Sequence, residues 1–473
     1  MDVDDEEKHD PRIAEKLLSQ EILDLSHEER CDYQEEIHGV GCVARDETPE
    51  TKAKALRELA TELDAIPPDQ KGAYRRSQQL PYTYVNEERF RLRFLRCCLF
   101  SAKATAKRMV EFLEMSMVLF GPFVLARPVR LSDFSSKEMR LLRKGRYQFA
   151  PFPDKSGRRV LCVFLDKEWV AFPMEAKARM SLYMSWTAGD DVDTQRKGLV
   201  VLTWFDQNFE VAGRSNIEYK DHTFSCVRAC AIHMCSPDTP MYQLLRAIVI
   251  TNLGRAKQKL RVHLGSTEEI FLVLQSFGIT IDQLPIGLSG IIKNERVKEW
   301  LRSRCCIEES LKPSPDGSLS STSDIIEYPK KDDVLFRMGM SNTAHPGNAF
   351  FRHHLETTMT RHGKMRASAG KAKDLRKRYI CEIIFHIKHS IGGRFLDWNK
   401  QLEGWTEMHD DEQIKRKIEN LVKRSKGVAK SEIRRQLHNG KTSMIKKIDK
   451  VEPEDQVNEK NLLQAVNYVH GFC

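Results

Sequence analysis

Cysteine and histidine residues of the kind that bind zinc occur close together in one segment of the chain. Cys226, Cys230, His233 and Cys235 lie in and just before a predicted strand at 227–237. A tetrahedral zinc site needs ligands that converge on one point. Because side chains alternate along a strand, Cys230 and His233 are expected on opposite faces. We therefore expect no metal site here.

Signals for covalent catalysis are also missing from the sequence. The chain has no G-x-S-x-G elbow and no Walker A sequence, and nothing marks one of its 12 cysteines as an activated thiolate. Adjacent pairs such as Cys97-Cys98 and Cys305-Cys306, in a chain without a predicted signal peptide, indicate reduced thiols rather than disulfides. We therefore expect a protein that is not an enzyme and has no cofactor.

Positive charge is concentrated in the C-terminal part of the chain. The net charge is +9, and from Lys330 onward there are 29 Lys and Arg against 18 Asp and Glu. Such a surplus suits the phosphates of nucleic acid or of an anionic membrane surface. The candidate anion-binding residues are Lys371, Lys373, Arg376, Lys377, Arg378 and Arg394. A predicted hairpin with Trp398 and Trp405 follows, which is compatible with a winged-helix-like nucleic-acid binder and equally with docking on anionic lipid.

The chain shows no sequence signal for a membrane span or an export segment. Its longest apolar stretch is interrupted by Gly121 and Pro122, well short of the roughly 18 residues that a span needs. The N-terminus is acidic with no apolar core behind it. We expect a cytoplasmic protein that associates peripherally with membranes, with the nucleus as the alternative location if the basic part binds nucleic acid.

The middle of the chain alternates between two apolar patterns. Runs rich in β-branched and aromatic residues predict strands at 159–166, 198–206, 227–237 and 261–264. Helical spacing is found at 173–189, 240–253 and 267–277. This alternation predicts an α/β fold in which helices cover a sheet. The helix at 240–253 is apolar nearly all round, so it needs apolar contact on both sides. Asn86 and Ser266 are predicted to cap the helices that follow them.

The order of motifs from 85 to 300 resembles the CRAL-TRIO proteins. Arg89-Phe-Arg-Leu-Arg-Phe-Leu-Arg96 is similar to the helical entry lobe of that family, and Asp154-Lys-Ser-Gly-Arg-Arg-Val-Leu161 to its D-x-x-G-R-P-V strand. Residues 198–206, 231–237, 263–266 and 284–290 match the remaining elements in order, although Gly287-Leu-Ser-Gly290 lacks the usual acidic residue. The resemblance implies a helical lobe, and a sheet with a lipid pocket beneath a mobile gate helix.

The implied gate helix corresponds to 240–253. The expected pocket and gate residues are Leu161, Val163, Leu202, Ile232, Met241, Leu244, Leu245, Ile248 and Val249. Arg255, Lys257, Lys259 and Arg261 follow the gate helix, where phosphoinositide-transferring relatives carry a phosphate-binding lysine. These four are candidate head-group contacts or, equally, a solvated basic strand entrance. A sterol, a tocopherol-like molecule or a retinoid is therefore an equal alternative as the lipid.

The C-terminal part resembles an uncharacterised domain of algal proteins with the pattern D-V-L-x-G-R-G, H-P-G-N and G-G-R-F-L. The matching segments are Asp333-Val-Leu335, His345-Pro-Gly-Asn348, Gly392-Gly-Arg-Phe-Leu396 and Trp405. Arg337-Met338-Gly339 stands where the pattern has Gly-Arg-Gly, which weakens any anion nest in that loop. The domain has no established activity. His345-Pro-Gly-Asn348 is expected to be a turn and helix start rather than a ligand set.

These patterns together predict a domain order and a function. The segments are an acidic flexible extension at 1–50, a helical lobe at 51–135, the CRAL-TRIO lipid-binding domain at 136–305, a linker at 306–329, a small basic α+β domain at 330–426, and a charged helical tail at 427–473. We expect the protein to bind a hydrophobic lipid in a closed pocket and to transfer or present it at membranes. The alternatives are a lipid-responsive regulator whose residues 330–473 bind nucleic acid, and an interaction scaffold with an occluded pocket.

Overall fold

A computed structural model describes most of the chain and divides it into two units. The described residues are 19–20, 22–44, 46–206, 225–240, 242, 250, 258–311, 325–337, 345–363 and 369–422. The units are 1–409 and 410–473. In the second unit, residues 411–422 are helical and bury Ile414, Ile418 and Val422. Among the described helices, none has both the length and the apolar character that crossing a membrane requires.

The described residues before the first strand are mainly helical. The α-helices are α1 (His27–His38), α2 (Pro49–Ala65), α3 (Gly72–Gln78), α4 (Glu88–Cys97), α5 (Ala102–Phe120) and α6 (Ser136–Arg143). Short 3-10 turns lie at Pro68–Gln70, Tyr84–Asn86, Pro122–Leu125 and Leu131–Asp133. Helices α2, α4 and α5 bury their apolar stripes against one another, and Phe94, Met109 and Leu113 are fully enclosed. The predicted helical lobe is therefore present.

Helix α4 begins later than the sequence predicts. Asn86 is predicted to cap it, but Asn86 ends a 3-10 turn and Glu87 occupies the N-cap position. The side chain of Asn86 instead donates to Gln78 at 2.9 Å and accepts from Arg91 at 2.8 Å. The side-chain contacts of Asn86 thus replace the local cap, and the prediction for this residue is wrong.

Residues 26–44 belong to the folded unit, whereas the sequence predicts a flexible extension over 1–50. Ile37 of α1 is fully buried in the apolar cluster on one side of the sheet. The carboxylate of Glu36, 1% exposed, lies 2.6 Å from Arg228 and 3.2 Å from Lys259. The carboxylate of Glu36 thus neutralises two basic side chains, Arg228 and Lys259, that are distant in sequence.

The main sheet has five strands in sequential order. They are β1 (Tyr147–Phe149), β2 (Arg159–Leu165), β3 (Leu199–Phe205), β4 (Ala229–Ser236) and β5 (Leu260–Leu264). Strand β1 is antiparallel to β2, and β2 to β5 are parallel. The connecting helices are α7 (Lys167–Val170), α8 (Met174–Ala188) and α9 (Val192–Lys197), and α10 (Thr267–Ser276) and α11 (Glu295–Ser310) follow β5. The four predicted strands and the α/β class are confirmed, while β1 and α11 are not predicted.

Helices cover both faces of the main sheet, as a parallel sheet requires. One face packs on the helical lobe and α8, with Met180 and Met184 in the shared cluster. The opposite face packs on α10, whose Phe271 is buried beside Trp204 at a ring distance of 5.6 Å. Ser266 caps α10 as predicted, since its hydroxyl accepts from the backbone of the third helical residue. The core is therefore two apolar layers separated by the sheet.

A smaller sheet forms from the C-terminal residues of the first unit. Its elements are β6 (Val334–Phe336), α12 (Pro346–Gly363), α13 (Ala369–Phe385), a π-helix (His386–Ile391), β7 (Phe395–Asn399) and β8 (Gly404–Glu407). Strand β7 pairs parallel with β6 and antiparallel with β8. The predicted hairpin is confirmed, and Gly392 ends the preceding helix with a φ of 75° as predicted.

The predicted linker at 306–329 is largely structured where it is described. Residues 306–310 end helix α11, and 312–324 lie outside the described residues. Glu327 accepts from Arg159 at 2.8 Å, from Arg304 at 2.9 Å and from the indole of Trp300 at 2.7 Å. Tyr328 lies against the same guanidinium of Arg159, at 4.6 Å. The segment that follows the gap is thus held by charges from β2 and α11.

Candidate functional site

The candidate lipid surface is the face of the main sheet that looks toward the helical lobe. Leu161, Val163 and Ile232 lie on this face and belong to its apolar cluster. Leu202 belongs to the cluster on the opposite face, beneath α10. The strand register explains the difference, because Leu202 pairs with Cys162 rather than with Leu161. The structure therefore brings three of the four predicted strand residues together and places Leu202 elsewhere.

The centre of this face is incompletely covered by the described residues. Val201 and Thr203 of β3 are half-buried, although β3 is the middle strand and its other residues are buried. Val262 on β5 is also half-buried. Val201 pairs with Leu161 on one side and Ile232 on the other, so these residues form one row across the sheet. Val201 and Thr203 are absent from the predicted pocket residues. Their pairing with Leu161 and Val163 places them on the same face of the sheet.

Most of the predicted gate helix lies outside the described residues. This applies to Met241, Leu244, Leu245, Ile248 and Val249. Tyr242 and Ile250, which are described, have helical backbone and are buried in the same apolar cluster as Leu161. The ring of Tyr242 packs 5.9 Å from that of Phe205, and its hydroxyl donates to the backbone of Asp206. Tyr242 therefore contacts the C-terminal end of β3.

The predicted head-group residues divide into two pairs. Arg255 and Lys257 lie outside the described residues. The ammonium of Lys259 contacts the carboxylate of Glu36 at 3.2 Å and the carbonyl of Ala229 at 3.0 Å, and burial lowers its pKa. Arg261 donates to the side chain of Gln34 at 2.9 Å, and burial lowers its pKa as well. Both described residues are engaged with α1, so any phosphate would have to compete with protein groups there.

A β-bulge alters the geometry of the cysteine and histidine segment. The pairing of β3 with β4 shifts after Leu199, which leaves Cys230 as an extra residue. Cys230 and His233 consequently both pack on the Phe277 side of the sheet. The expectation that they point to opposite faces is wrong, because one inserted residue restores the same orientation. Among the residues that the structure describes, no group of three or more His, Cys, Asp or Glu could hold a metal ion.

Two buried histidines form a hydrogen-bonded pair beneath the sheet. Nδ1 of His233 lies 3.0 Å from Nε2 of His263, and the rings stack with centroids 5.2 Å apart. Burial lowers the pKa of His263 to about 4, and it lowers the pKa of His233 well below the ordinary value. Both imidazoles are thus neutral near pH 7, so that one nitrogen donates and the other accepts. The pair supports the side of the sheet that faces away from the candidate lipid surface.

The sequence motifs of the C-terminal part meet in one buried cluster around Asp333. Its carboxylate, 1% exposed, accepts from the backbone of Lys330 at 2.7 Å and from the guanidinium of Arg394 at 2.7 and 3.1 Å. Gly347 and Gly393 pack so closely on the backbone of residues 332–333 that a β-carbon at either position would overlap a carbonyl oxygen. These residues therefore form one tightly packed, hydrogen-bonded cluster.

Asn348 and His345 extend the same cluster. The side-chain amide of Asn348 accepts from the backbone nitrogen of Leu335 at 2.7 Å and donates to its carbonyl at 3.0 Å, which fixes β6. His345 is fully buried, with its ring 5.0 Å from that of Phe152, and burial lowers its pKa to about 4. His345-Pro-Gly-Asn348 is accordingly a helix start, as the sequence predicts.

The predicted C-terminal anion-binding residues have unequal access. Lys371, Lys373 and Arg376 lie on α13, and their side chains are outside the described set. Lys377 and Arg378 are exposed on the same helix. Arg394 is bound to Asp333, which raises its pKa against the effect of burial. Lys377 and Arg378 are thus the described candidates that remain on the surface.

Arg337 also has an internal role. Its guanidinium contacts both carboxylate oxygens of Glu299 at 2.7 and 3.1 Å, and it lies 3.9 Å from the ring of Trp398. Trp398 in turn packs edge-on against Trp405 at 5.2 Å. The residue that departs from the expected Gly-Arg-Gly pattern therefore joins the small sheet to α11.

Comparison with known families bears on the C-terminal part only. Residues 333–424 match the model of a family described as a domain of unknown function, DUF6824. This range includes the Asp333 cluster, both tryptophans and the exposed Lys377 and Arg378. No curated protein matches the chain. The family description assigns no activity.

Proposed function

We propose that this protein binds one hydrophobic lipid against the row formed by Leu161, Val201 and Ile232 and presents or transfers it at membranes. The observation that carries the proposal is the half-buried state of Val201 and Thr203 in the middle strand. Central strands of a parallel sheet are ordinarily covered on both faces. Binding of an acyl or polyisoprenoid chain there would be stabilised by about 0.8 kcal/mol of transfer free energy for each CH₂ removed from water.

The resemblance to CRAL-TRIO proteins supports the same proposal, since it implies a pocket on a sheet beside a helical lobe. We propose no covalent step and no cofactor besides the bound lipid. We further propose a cytoplasmic, peripherally membrane-associated location, with Lys377 and Arg378 contacting anionic head groups. Each basic residue near an anionic surface contributes about 1 kcal/mol of attraction.

The first test is to identify what the full chain binds. The protein is purified without detergent, and its mass is measured under native conditions before and after organic extraction. A lipid present at close to one molecule per chain is expected. A chain that carries no lipid and takes up none from mixed vesicles would count against the proposal.

The second test blocks the candidate surface. Val201→Trp fills the row between β2 and β4 with an indole, and we expect lipid occupancy to fall at least tenfold. Val118→Trp is the matched control, because Val118 is 76% exposed on helix α5. Circular dichroism and thermal melting establish that both variants fold. Equal lipid occupancy in a folded Val201→Trp variant would contradict the assigned surface.

The alternative function is a lipid-responsive regulator whose residues 330–473 bind nucleic acid. The exposed Lys377 and Arg378 favour a phosphate partner of either kind. The full chain is titrated with anionic vesicles and with duplex DNA over a series of salt concentrations. Lys377→Glu/Arg378→Glu is compared with Lys137→Glu/Arg140→Glu, which reverses two exposed charges on α6. Salt-dependent DNA binding without vesicle binding would favour the alternative.

A further inference from the structure

On strands β2 to β5, the C-terminal half of the candidate lipid surface is apolar except for two hydroxyl groups. Thr203 belongs to β3, and Ser236 is the last residue of β4. Thr203 pairs with Val163 on one side and with Met234 on the other. Both of these partners belong to the cluster that packs on the helical lobe. The half-buried side chain of Thr203 is therefore part of the candidate lipid surface.

Ser236 lies on the same surface. Its neighbour Cys235 pairs with Trp204, and both of these residues belong to the cluster on the opposite face. Because side chains alternate along a strand, Ser236 and Phe205 point toward the helical lobe, where Phe205 is in the apolar cluster. Neighbouring strands are about 4.8 Å apart. Thr203 and Ser236, on adjacent strands, therefore flank a space that one small polar group can fill.

The hydroxyl of Ser236 is buried and has no partner in the described part of the chain. The residue is 1% exposed, and its Oγ meets no hydrogen-bond donor or acceptor there. A buried hydroxyl in this state is destabilising, because it has lost its hydrogen bonds to water without replacing them. Ser236 thus keeps an unused donor and an unused acceptor on the side of the sheet that carries the candidate lipid surface.

The strand residues around these two hydroxyls carry no charge. They are Val163, Leu165, Phe205, Met234, Val262 and Leu264. An ionised group such as a phosphate is costly to place among apolar side chains without a cation. Arg261 does not supply one, because it pairs with His233, which packs against Phe277 on the opposite face. Lys259 is held by Glu36 of α1. The surroundings therefore favour an uncharged polar group.

We infer that Thr203 and Ser236 bind the hydroxyl group of an uncharged lipid alcohol. The inference rests on the proposed lipid-binding function and narrows the ligand to lipids such as sterols and diacylglycerols. A lipid hydroxyl donates to one side chain and accepts from the other, so that Ser236 gains the partner that it lacks. The hydrocarbon extends from there along Val201. A few polar groups in an apolar pocket are enough to fix the orientation of a ligand.

The first experiment measures which lipid the full chain takes up. The protein is incubated with vesicles of phosphatidylcholine, phosphatidylinositol, cholesterol and dioleoylglycerol, and the lipid that it retains after re-isolation is identified by mass spectrometry. We expect cholesterol or dioleoylglycerol to be enriched at least tenfold over both phospholipids, relative to the vesicle composition. Retention of a phospholipid instead would overturn the inference and leave the lipid-binding function standing. A chain that retains none of the four lipids would overturn both.

The second experiment removes the two hydroxyls with little change of shape, by the substitutions Thr203→Val and Ser236→Ala. The alcohol that the wild-type chain retains is compared with its methyl ether, which has the same hydrocarbon but cannot donate a hydrogen bond. We expect the wild-type chain to prefer the alcohol at least tenfold and the double variant to bind the two lipids within about twofold of each other. A purely structural role of these residues would reduce the uptake of both lipids equally.

Thr406→Val is the matched control, because Thr406 is a half-buried threonine on strand β8, and it should keep the wild-type preference. Ser236→Ala should not lower the melting temperature, since it removes a buried hydroxyl that has no partner among the described residues. Should Thr203→Val fail to fold, Ser236→Ala decides by itself, with an expected loss of at least threefold in the preference for the alcohol. An unchanged preference in a folded variant would overturn the assignment.

Discussion

Asp333 and Arg394 are 61 residues apart in sequence and are joined by a bidentate ion pair, with distances of 2.7 and 3.1 Å. The pair unites the start of β6 with the residue before β7. Two sequence motifs of the C-terminal part, at Asp333 and at Gly392-Gly-Arg394, therefore meet in the buried cluster around Asp333.

Arg394→Ala should destabilise the first unit by about 3 kcal/mol, because it leaves the buried carboxylate of Asp333 without its cation. Thermal and urea unfolding of the full chain measure the loss. Arg140→Ala, which removes an exposed arginine of α6, is the control and should change stability by less than about 0.5 kcal/mol. Equal stability of the two variants would show that the pair is not needed.

Gly347→Ala and Gly393→Ala should each destabilise the protein by about 1–3 kcal/mol, since overpacking forces the backbone of residues 332–333 to move. Gly287→Ala is the matched control, because its added β-carbon would meet its nearest atom at 3.6 Å. Differential scanning calorimetry of the three variants checks the ranking. A Gly287 variant as unstable as the other two would contradict the steric explanation.

Glu36→Ala should lower stability by about 3 kcal/mol, because Arg228 and Lys259 would remain buried without their counter-charge. Glu35→Ala is an adjacent control on the same helix, since Glu35 is exposed. Thermal melting compares the two. If α1 were only loosely attached to the rest of the unit, neither substitution would change the melting temperature.

The histidine pair predicts a pH dependence of stability. The folded pKa of His263, about 4, lies below the ordinary value of about 6.5. The unfolded chain therefore binds more protons between these values, and the stability contributed by neutral His263 is complete above pH 6.5 and is lost as the pH falls toward 4. The loss from this residue amounts to about 3 kcal/mol.

His263→Gln should flatten the slope of unfolding free energy against pH between 4 and 6.5. His27→Gln, on an exposed residue, should leave the slope unchanged. Urea unfolding at half-unit pH intervals gives the comparison. An unaltered slope in the His263 variant would mean that folding does not lower the pKa of this imidazole.

Local patterns predict much of the fold because the residues that decide it are neighbours in sequence. Apolar β-branched runs identify β2 to β5, and Gly392 identifies the end of the preceding helix. Contacts over long sequence distances are not predictable in this way. The binding of Glu36 to Arg228 and the bulge at Cys230 depend on which strands become neighbours.

The candidate sites follow the same rule. Leu161 and Val163 share a face because side chains alternate along one strand, which is a local property, whereas the face of Ile232 on β4 depends on the register between strands. Leu202 is predicted on the wrong face of the sheet, because its face depends on the register between two strands. The contact of Arg108 with Cys97 could not be foreseen, since it depends on the turn that joins α4 to α5.

Glu327 contacts Arg159, Arg304 and Trp300. We therefore expect residues 325–409 to stay bound to the preceding part of the first unit even when the backbone between them is cut. Suppose a specific protease site were inserted between residues 312 and 324 and then cut. The severed chain should still elute as one species in size-exclusion chromatography, because separation would leave the buried guanidinium of Arg159 without the carboxylate of Glu327. High salt alone should not release the halves, since screening acts weakly on charges shielded from solvent.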